Sequence, residues 1–373
     1  MSGASALSPA AAREAGLFEP RPLAERAGSP AAQRRALIQS ARALREELSA
    51  GPEVLFCRSF PLVRVPYPTK FAFWRASKVL SPLLHIVNRL IVVQFKDLAG
   101  ERRTLLISPS DVEANKATPF FVDLASKARL LGQTGERLLA PRFNEVEDCL
   151  AQCGLTPSDV DYLSYDHLHT QDLRRWLGSH DRQGLFPRAK LLIRQPEWES
   201  VQGLLPPWAA WYPEDGVAGI DPARLVFFEG AVRLGEGLVL VATPGHTVGN
   251  HSFAIHTSAG VLVTSENGVS ADNYAPLRST IAGVRAYAEG SGSEVVLNGN
   301  TLEGTLDQYL SMIFERELAG PNQRDSAFYN VFPSSELTAY WAFPGIAPTF
   351  RFGEVHFGQP APTPGGSPPR RGL

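Results

Sequence analysis

The sequence predicts a mixed α/β fold built in layers. Short apolar strands alternate with short helical segments from Arg89 to Leu318. Two pairs of apolar runs are split by short polar turns, the pattern of hairpins. Hydrophobic residues make up 44% and charged residues 20% of the 373. That composition supports a sizeable core and one large domain or two ordinary ones.

Taken in order, Ser29-Pro30 opens a capped amphipathic helix running to about Leu48. Val54 to Thr69 is apolar and punctuated by proline. Arg89–Phe95 and Arg103–Ser108 form the first hairpin around a polar turn. A helix is expected over Arg142–Gly154, then a short strand over Asp161–Tyr165 and a strand over Lys190–Arg194 followed by a helix from Pro196. Leu225–Phe228 and Leu238–Ala242 read as strands, and Ser252–His256 with Gly260–Ser265 as the second hairpin. Helices are expected over Ser279–Gly290 and Leu306–Leu318, with a strand over Glu294–Leu297 between them. The expected organisation is an N-terminal arm over residues 1–51, a main domain over 52–330, a C-terminal extension over 331–357 packed on the core, and a Pro/Gly-rich tail over 358–373 that is disordered.

Composition excludes several classes. A net charge of -2 argues against a nucleic-acid binder, which carries a basic excess on one face. Three cysteines, Cys57, Cys149 and Cys153, are too few and too irregular for a disulfide framework, and buried thiols in a reducing compartment are expected. No secretory signal and no apolar run long enough to span a membrane is evident, so a cytoplasmic protein is expected. A homodimer is left open.

The chemistry sits at strand ends. His167-x-His169 follows the strand ending near Tyr165, and residues two apart in an extended segment point the same way. His246 follows a second strand, after a break at Thr243-Pro244-Gly245. Three neutral imidazoles with one open position make the pattern of a catalytic zinc site. His251 is expected to pack or hydrogen-bond behind the site. Asp166 fits either orienting a ligand imidazole or capping a turn. Trp208, Trp211 and Tyr212 fit either a pocket wall or ordinary packing.

In the order of these segments the chain resembles the metallo-β-lactamase superfamily. SDVDYLSYDHLHTQD is similar to the family's strand followed by His-x-His-x-Asp-His, and LVATPGHTVGNHSF to its Thr-Pro-Gly-His-Thr segment. VLVTSENG and VVLNGN stand where the family's strands end near Gly-Asp and Gly-His. The resemblance spans roughly Arg89 to Gly304. It implies a four-layer αββα sandwich of two mixed β-sheets flanked by helices. It also implies that His167, His169 and His246 hold a first metal, and that Glu266 stands where an aspartate bridges two metals. Gln171, Asp172 and Asn300 stand where the family places second-metal ligands, so that half is altered or absent.

What the resemblance implies about function is a metal-dependent hydrolase. One zinc ion would lower the pKa of a bound water toward neutrality, and the resulting hydroxide would attack an ester, lactone, amide or related bond of a small-molecule substrate. Asp172 is the candidate for moving protons, because the amide of Gln171 cannot. An all-oxygen second site from Asp172, Glu266, Gln171 and Asn300, for zinc or manganese, is the alternative to a single ion. A non-hydrolytic metal- or ligand-binding member of the same fold is the alternative function. No nucleic-acid or membrane partner is expected.

Overall fold

Both faces of the central strands are apolar. Successive side chains on a strand point to opposite sides. In β3 (Leu83–Lys96), Leu90 and Val92 belong to one core, Ile91 and Val93 to another. In β8 (Lys190–Arg194), Leu191 and Ile193 separate from Leu192 in the same way. On the facing sheet, Leu238 and Leu240 of β11 (Leu238–Ala242) and Phe253 and Ile255 of β12 (His251–Thr257) join Ile91 and Leu192, whereas Val239, Val241 and Ala254 face away. Sheets apolar on both sides must be covered on both.

The structure is a computed structural model that describes residues 5–23, 28–127, 139–299, 305–341 and 345–363. It is a four-layer αββα sandwich. The larger sheet has eight strands. Its order is β15 (His356–Gly358), β2 (Phe56–Pro68), β3, β4 (Arg102–Ile107), β5 (Tyr162–Ser164), β8 and β9 (Leu225–Phe228), and β14 (Ser335–Thr338) also pairs with β3. β4, β5, β8 and β9 run parallel and the other pairings are antiparallel, so this sheet is mixed. The smaller sheet is antiparallel throughout, in the order β1 (Glu19–Arg21), β10 (Ala231–Gly235), β11, β12 and β13 (Gly260–Thr264). Its last four strands follow one another in the chain, and antiparallel neighbours need only short turns. A two-stranded ribbon, β6 (Gly178–Ser179) with β7 (Arg182–Gln183), lies apart.

Helices close both outer faces. Helix Pro30–Ala50 lines up Leu37, Ala41, Leu44 and Leu48 and packs with helix Thr305–Ala319 on the five-stranded sheet. Its start is set by Ser29, whose hydroxyl accepts from Ala32 N–H, with Pro30 at the first turn. Helices Val146–Gln152 and Gln195–Gln202 bring Cys149, Leu150 and Trp198 to the eight-stranded sheet. Cys57, Cys149 and Cys153 are buried free thiols. No helix among the described residues is long and apolar enough to cross a membrane.

Three segments differ from the sequence expectation, and a fourth takes a structure where none was assigned. The proline-punctuated stretch after Val54 is a 13-residue strand, β2. Strand β15 covers its outer side only at Phe56–Arg58, so Pro61, Pro66 and Pro68 sit along a sheet edge, where proline is tolerated. Glu294–Leu297 is not a strand. It is held instead by Asn273, which accepts from Val296 N–H through its carbonyl and donates to Val296 O through its side chain. The helix expected over Ser279–Gly290 is confined to Val284–Ser291, entered through Gly283 at φ 90°. The start of the expected disordered tail is built into the body. Gly358 ends β15, and Thr363 is buried with its N–H donating to Asp159 Oδ1 at 3.0 Å. Residues 364–373 lie outside the described residues.

Candidate metal centre

Parallel strands β4, β5 and β8 release their following loops on one edge of the larger sheet, the usual place for a site in an open α/β sheet. The loop after β5 carries Asp166, His167 and His169. Strands β11 and β13 of the facing sheet end at the same edge and deliver His246 and Glu266. The two sets are tied together by the His251 N–H at the start of β12, which donates to Asp166 O at 3.0 Å.

His167, His169 and His246 converge. One ring nitrogen from each lies within 4.8 Å of the others, and all three side chains are buried. His169 Nδ1 is 3.3 Å from His246 Nε2. The ring centroids are 4.5, 4.8 and 5.0 Å apart. Two of the rings are aimed by a partner behind them. His167 Nδ1 meets Asp166 Oδ1 at 3.1 Å, and His246 Nδ1 faces the Asn298 carbonyl at 3.3 Å. Those contacts leave the opposite nitrogen of His167 and of His246 for the cluster, the arrangement that orients imidazole ligands. A three-nitrogen, buried, carboxylate-backed set fits zinc.

The electrostatics follow from burial. His246 is pushed down to about 3 by desolvation and then by the neighbouring His167. His169 is lowered well below its ordinary value by burial and by the other two rings. Burial would lower His167 as well, but Asp166 more than reverses it and raises His167 to about 9. Glu266 is raised by burial and by the nearby Asp166, against the pull of His167.

Both ligand loops are held by a residue the sequence did not single out. Glu197, in helix Gln195–Gln202, is completely buried. Its Oε1 accepts from Leu168 N–H at 2.8 Å, between the first two histidines. Its Oε2 accepts from the Thr247 hydroxyl at 2.6 Å, next to the third. Gly249 is required beside it, because a Cβ there would lie 2.3 Å from Glu197 backbone and side-chain atoms. Gly245 is required likewise against helix Thr305–Ala319, where a Cβ would meet Gln308 Cα at 2.3 Å. A second support reaches His246 from that helix. Glu315 accepts from Asn267 Nδ2 at 2.7 Å, and Asn267 Oδ1 accepts from His246 N–H at 2.9 Å.

The residues standing at second-metal positions are not gathered in this way. Gln171 Oε1 accepts from the Ser110 hydroxyl at 3.1 Å and from Asn115 Nδ2 at 3.3 Å. The Asp172 carboxylate accepts from Arg174 Nε at 3.0 Å, and its N–H donates to Asn115 Oδ1 at 2.9 Å. Asp172 therefore stands outside both convergences that could hold an ion among the described residues. Glu266 lies in the second of these, with Asp166 and His167. The Ser334 hydroxyl donates to Asp166 Oδ2 at 2.8 Å and lies 3.4 Å from Glu266 Oε2. Asn300 lies outside the described residues. Asn298, two positions earlier, is the amide that reaches the site; it also accepts from Tyr67 OH at 2.6 Å. His251 packs behind the cluster, with Nε2 3.0 Å from the Ser164 hydroxyl.

A cavity of about 420 Å³ opens on His167 and His169. Asp166, His167, His169, Gln171, Glu266 and Ser334 line one part of it. Trp211 also lines it, with its ring 5.9 Å from His169, while Tyr212 meets His169 edge-on at 4.9 Å. Thr170 holds this aromatic loop by donating its N–H to Trp211 O at 2.7 Å, and does so at φ 63°, an uncommon conformation for a β-branched residue. Trp208 packs on the core instead.

No family model matches the chain, and no curated protein matches it. Solved structures do. A dizinc quorum-quenching lactonase in complex with a product is 12% identical, with a TM-score of 0.49 over 80% of this chain and 96% of that one. A probable metal-dependent hydrolase from Staphylococcus aureus is 15% identical, with a TM-score of 0.45 over 62% and 79%. A putative metallo-beta-lactamase from Thermotoga maritima is 15% identical, with a TM-score of 0.34 over 58% and 88%.

Proposed function

We propose that the chain is a metal-dependent hydrolase acting on an ester, lactone, amide or related carbonyl compound of small size, with one zinc ion at His167, His169 and His246. The observation that supports it is the convergence of three buried imidazoles, one nitrogen of each within 4.8 Å of the others, with His167 and His169 on the wall of a cavity of small-ligand size. Bound there, zinc supplies a Lewis acid and brings the pKa of water toward neutrality.

The chain's own groups do the rest. Asp166 fixes the His167 ring by accepting from Nδ1. Glu266 is the carboxylate on the cavity wall that can take a proton from water and return it to the leaving group. This role passes to Glu266 from Asp172, whose carboxylate is engaged by Arg174.

The test is turnover by the zinc-loaded chain across esters, lactones, thioesters and amides. At least one class is hydrolysed, and His167→Ala abolishes that hydrolysis. Silence across all four classes with zinc bound contradicts the reading and favours a metal- or ligand-binding protein. Full turnover by His167→Ala contradicts it too.

A further inference from the structure

The cavity on the histidines has two ends of opposite character. Val63, Val65, Ile86, Phe120 and Leu124 line the end away from the cluster. They come from β2, β3 and helix Pro119–Lys127. Trp211 stands at the junction. It stacks on Phe120 at 4.7 Å and 27°, meets Phe71 edge-on at 6.0 Å, and is tilted toward His169. The cations on the rim are already matched. Lys116 lies 3.2 Å from Glu113, and Arg142 pairs with Glu113 and Glu145. Nothing at that end asks for a charge.

Two buried polar atoms belong to residues that line the cavity and find no hydrogen-bond partner among the described residues: Ser108 Oγ and Asn88 Oδ1. Ser108 is held at φ 55° at the end of β4, with its N–H donating to Ser164 O. Buried polar groups are normally satisfied. A hydroxyl kept unpaired in an uncommon backbone conformation, on a residue that lines the same cavity as His167 and His169, can meet a polar atom of a ligand.

We propose that the substrate carries a neutral apolar limb that fills the chamber between β2–β3 and helix Pro119–Lys127. Its carbonyl then lies over the histidines, and a polar atom next to that carbonyl meets Ser108. Phe120, Leu124 and Trp211 set the length of limb accepted. This rests on the reading above that the three histidines mark the reacting centre.

The experiment uses the zinc-loaded full chain and two series of straight-chain probes from two to ten carbons. Binding of the carboxylates is followed by calorimetry, which needs no turnover, and hydrolysis of the p-nitrophenyl esters is followed by absorbance. Carboxylate affinity rises by roughly fourfold per added methylene, the value of about 0.8 kcal/mol for burying one, until the chamber is full. Leu124→Trp stops that rise at a shorter chain and Leu124→Ala extends it to a longer one. Ser108→Ala weakens all chain lengths by the same factor and leaves the slope unchanged. A flat or falling series overturns the proposal, as do Leu124 variants that leave the slope where it was. An unchanged Ser108→Ala overturns the polar contact. The two readings separate cleanly. Rising affinity without hydrolysis of any of the four substrate classes upholds the chamber and sinks the hydrolase, whereas hydrolysis indifferent to chain length does the reverse.

Discussion

His167, His169 and His246 are immobilised from several directions, whereas Gln171 and Asp172, in the same loop, are committed elsewhere. On the first side, Asp166, Glu197, Asn267 and Asn298 aim rings or grip the loops that carry them. On the second, an amide is satisfied by Ser110 and Asn115, and a carboxylate is neutralised by Arg174. The difference teaches where the chain spends its buried hydrogen bonds. Two ring nitrogens 3.3 Å apart have the spacing that ligands of one cation can take, while groups already partnered by Ser, Asn and Arg do not converge in this way.

The largest effect expected from breaking this contrast is at the histidines. His246→Ala removes one of three nitrogen donors, so zinc content falls toward zero and turnover falls to background. Elemental analysis beside a melting curve separates loss of metal from loss of fold. Next comes Glu197. Glu197→Ala strips the acceptor from Leu168 N–H and the Thr247 hydroxyl, each costing about 1–3 kcal/mol when left buried and unpaired. Zinc affinity should fall roughly 10–100-fold, as for other groups that orient ligands. Glu197→Gln keeps an acceptor for Leu168 and recovers part of that loss in a chelator competition; equal losses in the two variants would count against a positioning role.

Smaller effects belong to the other half. Asp172→Asn should leave zinc content unchanged, since the carboxylate it replaces faces Arg174; a drop in bound zinc would return Asp172 to the ligand set. Gln171→Ala should lower stability in a denaturant titration by about 1–3 kcal/mol for each of the buried Ser110 and Asn115 donors it leaves unpaired. Its zinc content should match that of the parent.

The first half was legible because strand ends announce themselves locally. An apolar run, a break at Pro244-Gly245 and a histidine are adjacent in the chain, and so are the short strand and His167-x-His169. The supports were not legible for the opposite reason. Glu197, Glu315 and Ser334 are single residues from separate segments, with nothing around each to mark it as buried against the site, and Asn267 and Asn298 stand inside marked strand ends where the neighbouring Glu266 and Asn300 drew the reading. Gly249 carried a faint signal, a second glycine after Gly245, but its reason is the close approach of Glu197. Strand β2 was left without an element because proline is tolerated there only by its edge position on the sheet, which is a tertiary fact. Asp172 was assigned proton transfer by its place in the motif. Arg174, two residues on, was in view, but their pairing depends on the turn that brings them together.

The central claim is that one ion binds, held by three histidines. Metal analysis after exhaustive dialysis of the zinc-loaded chain tests it most directly, run beside the three single His→Ala variants. The account predicts one zinc per chain in the parent and none retained by any variant. Two ions per chain, or one ion kept by His167→Ala, His169→Ala or His246→Ala, would contradict it.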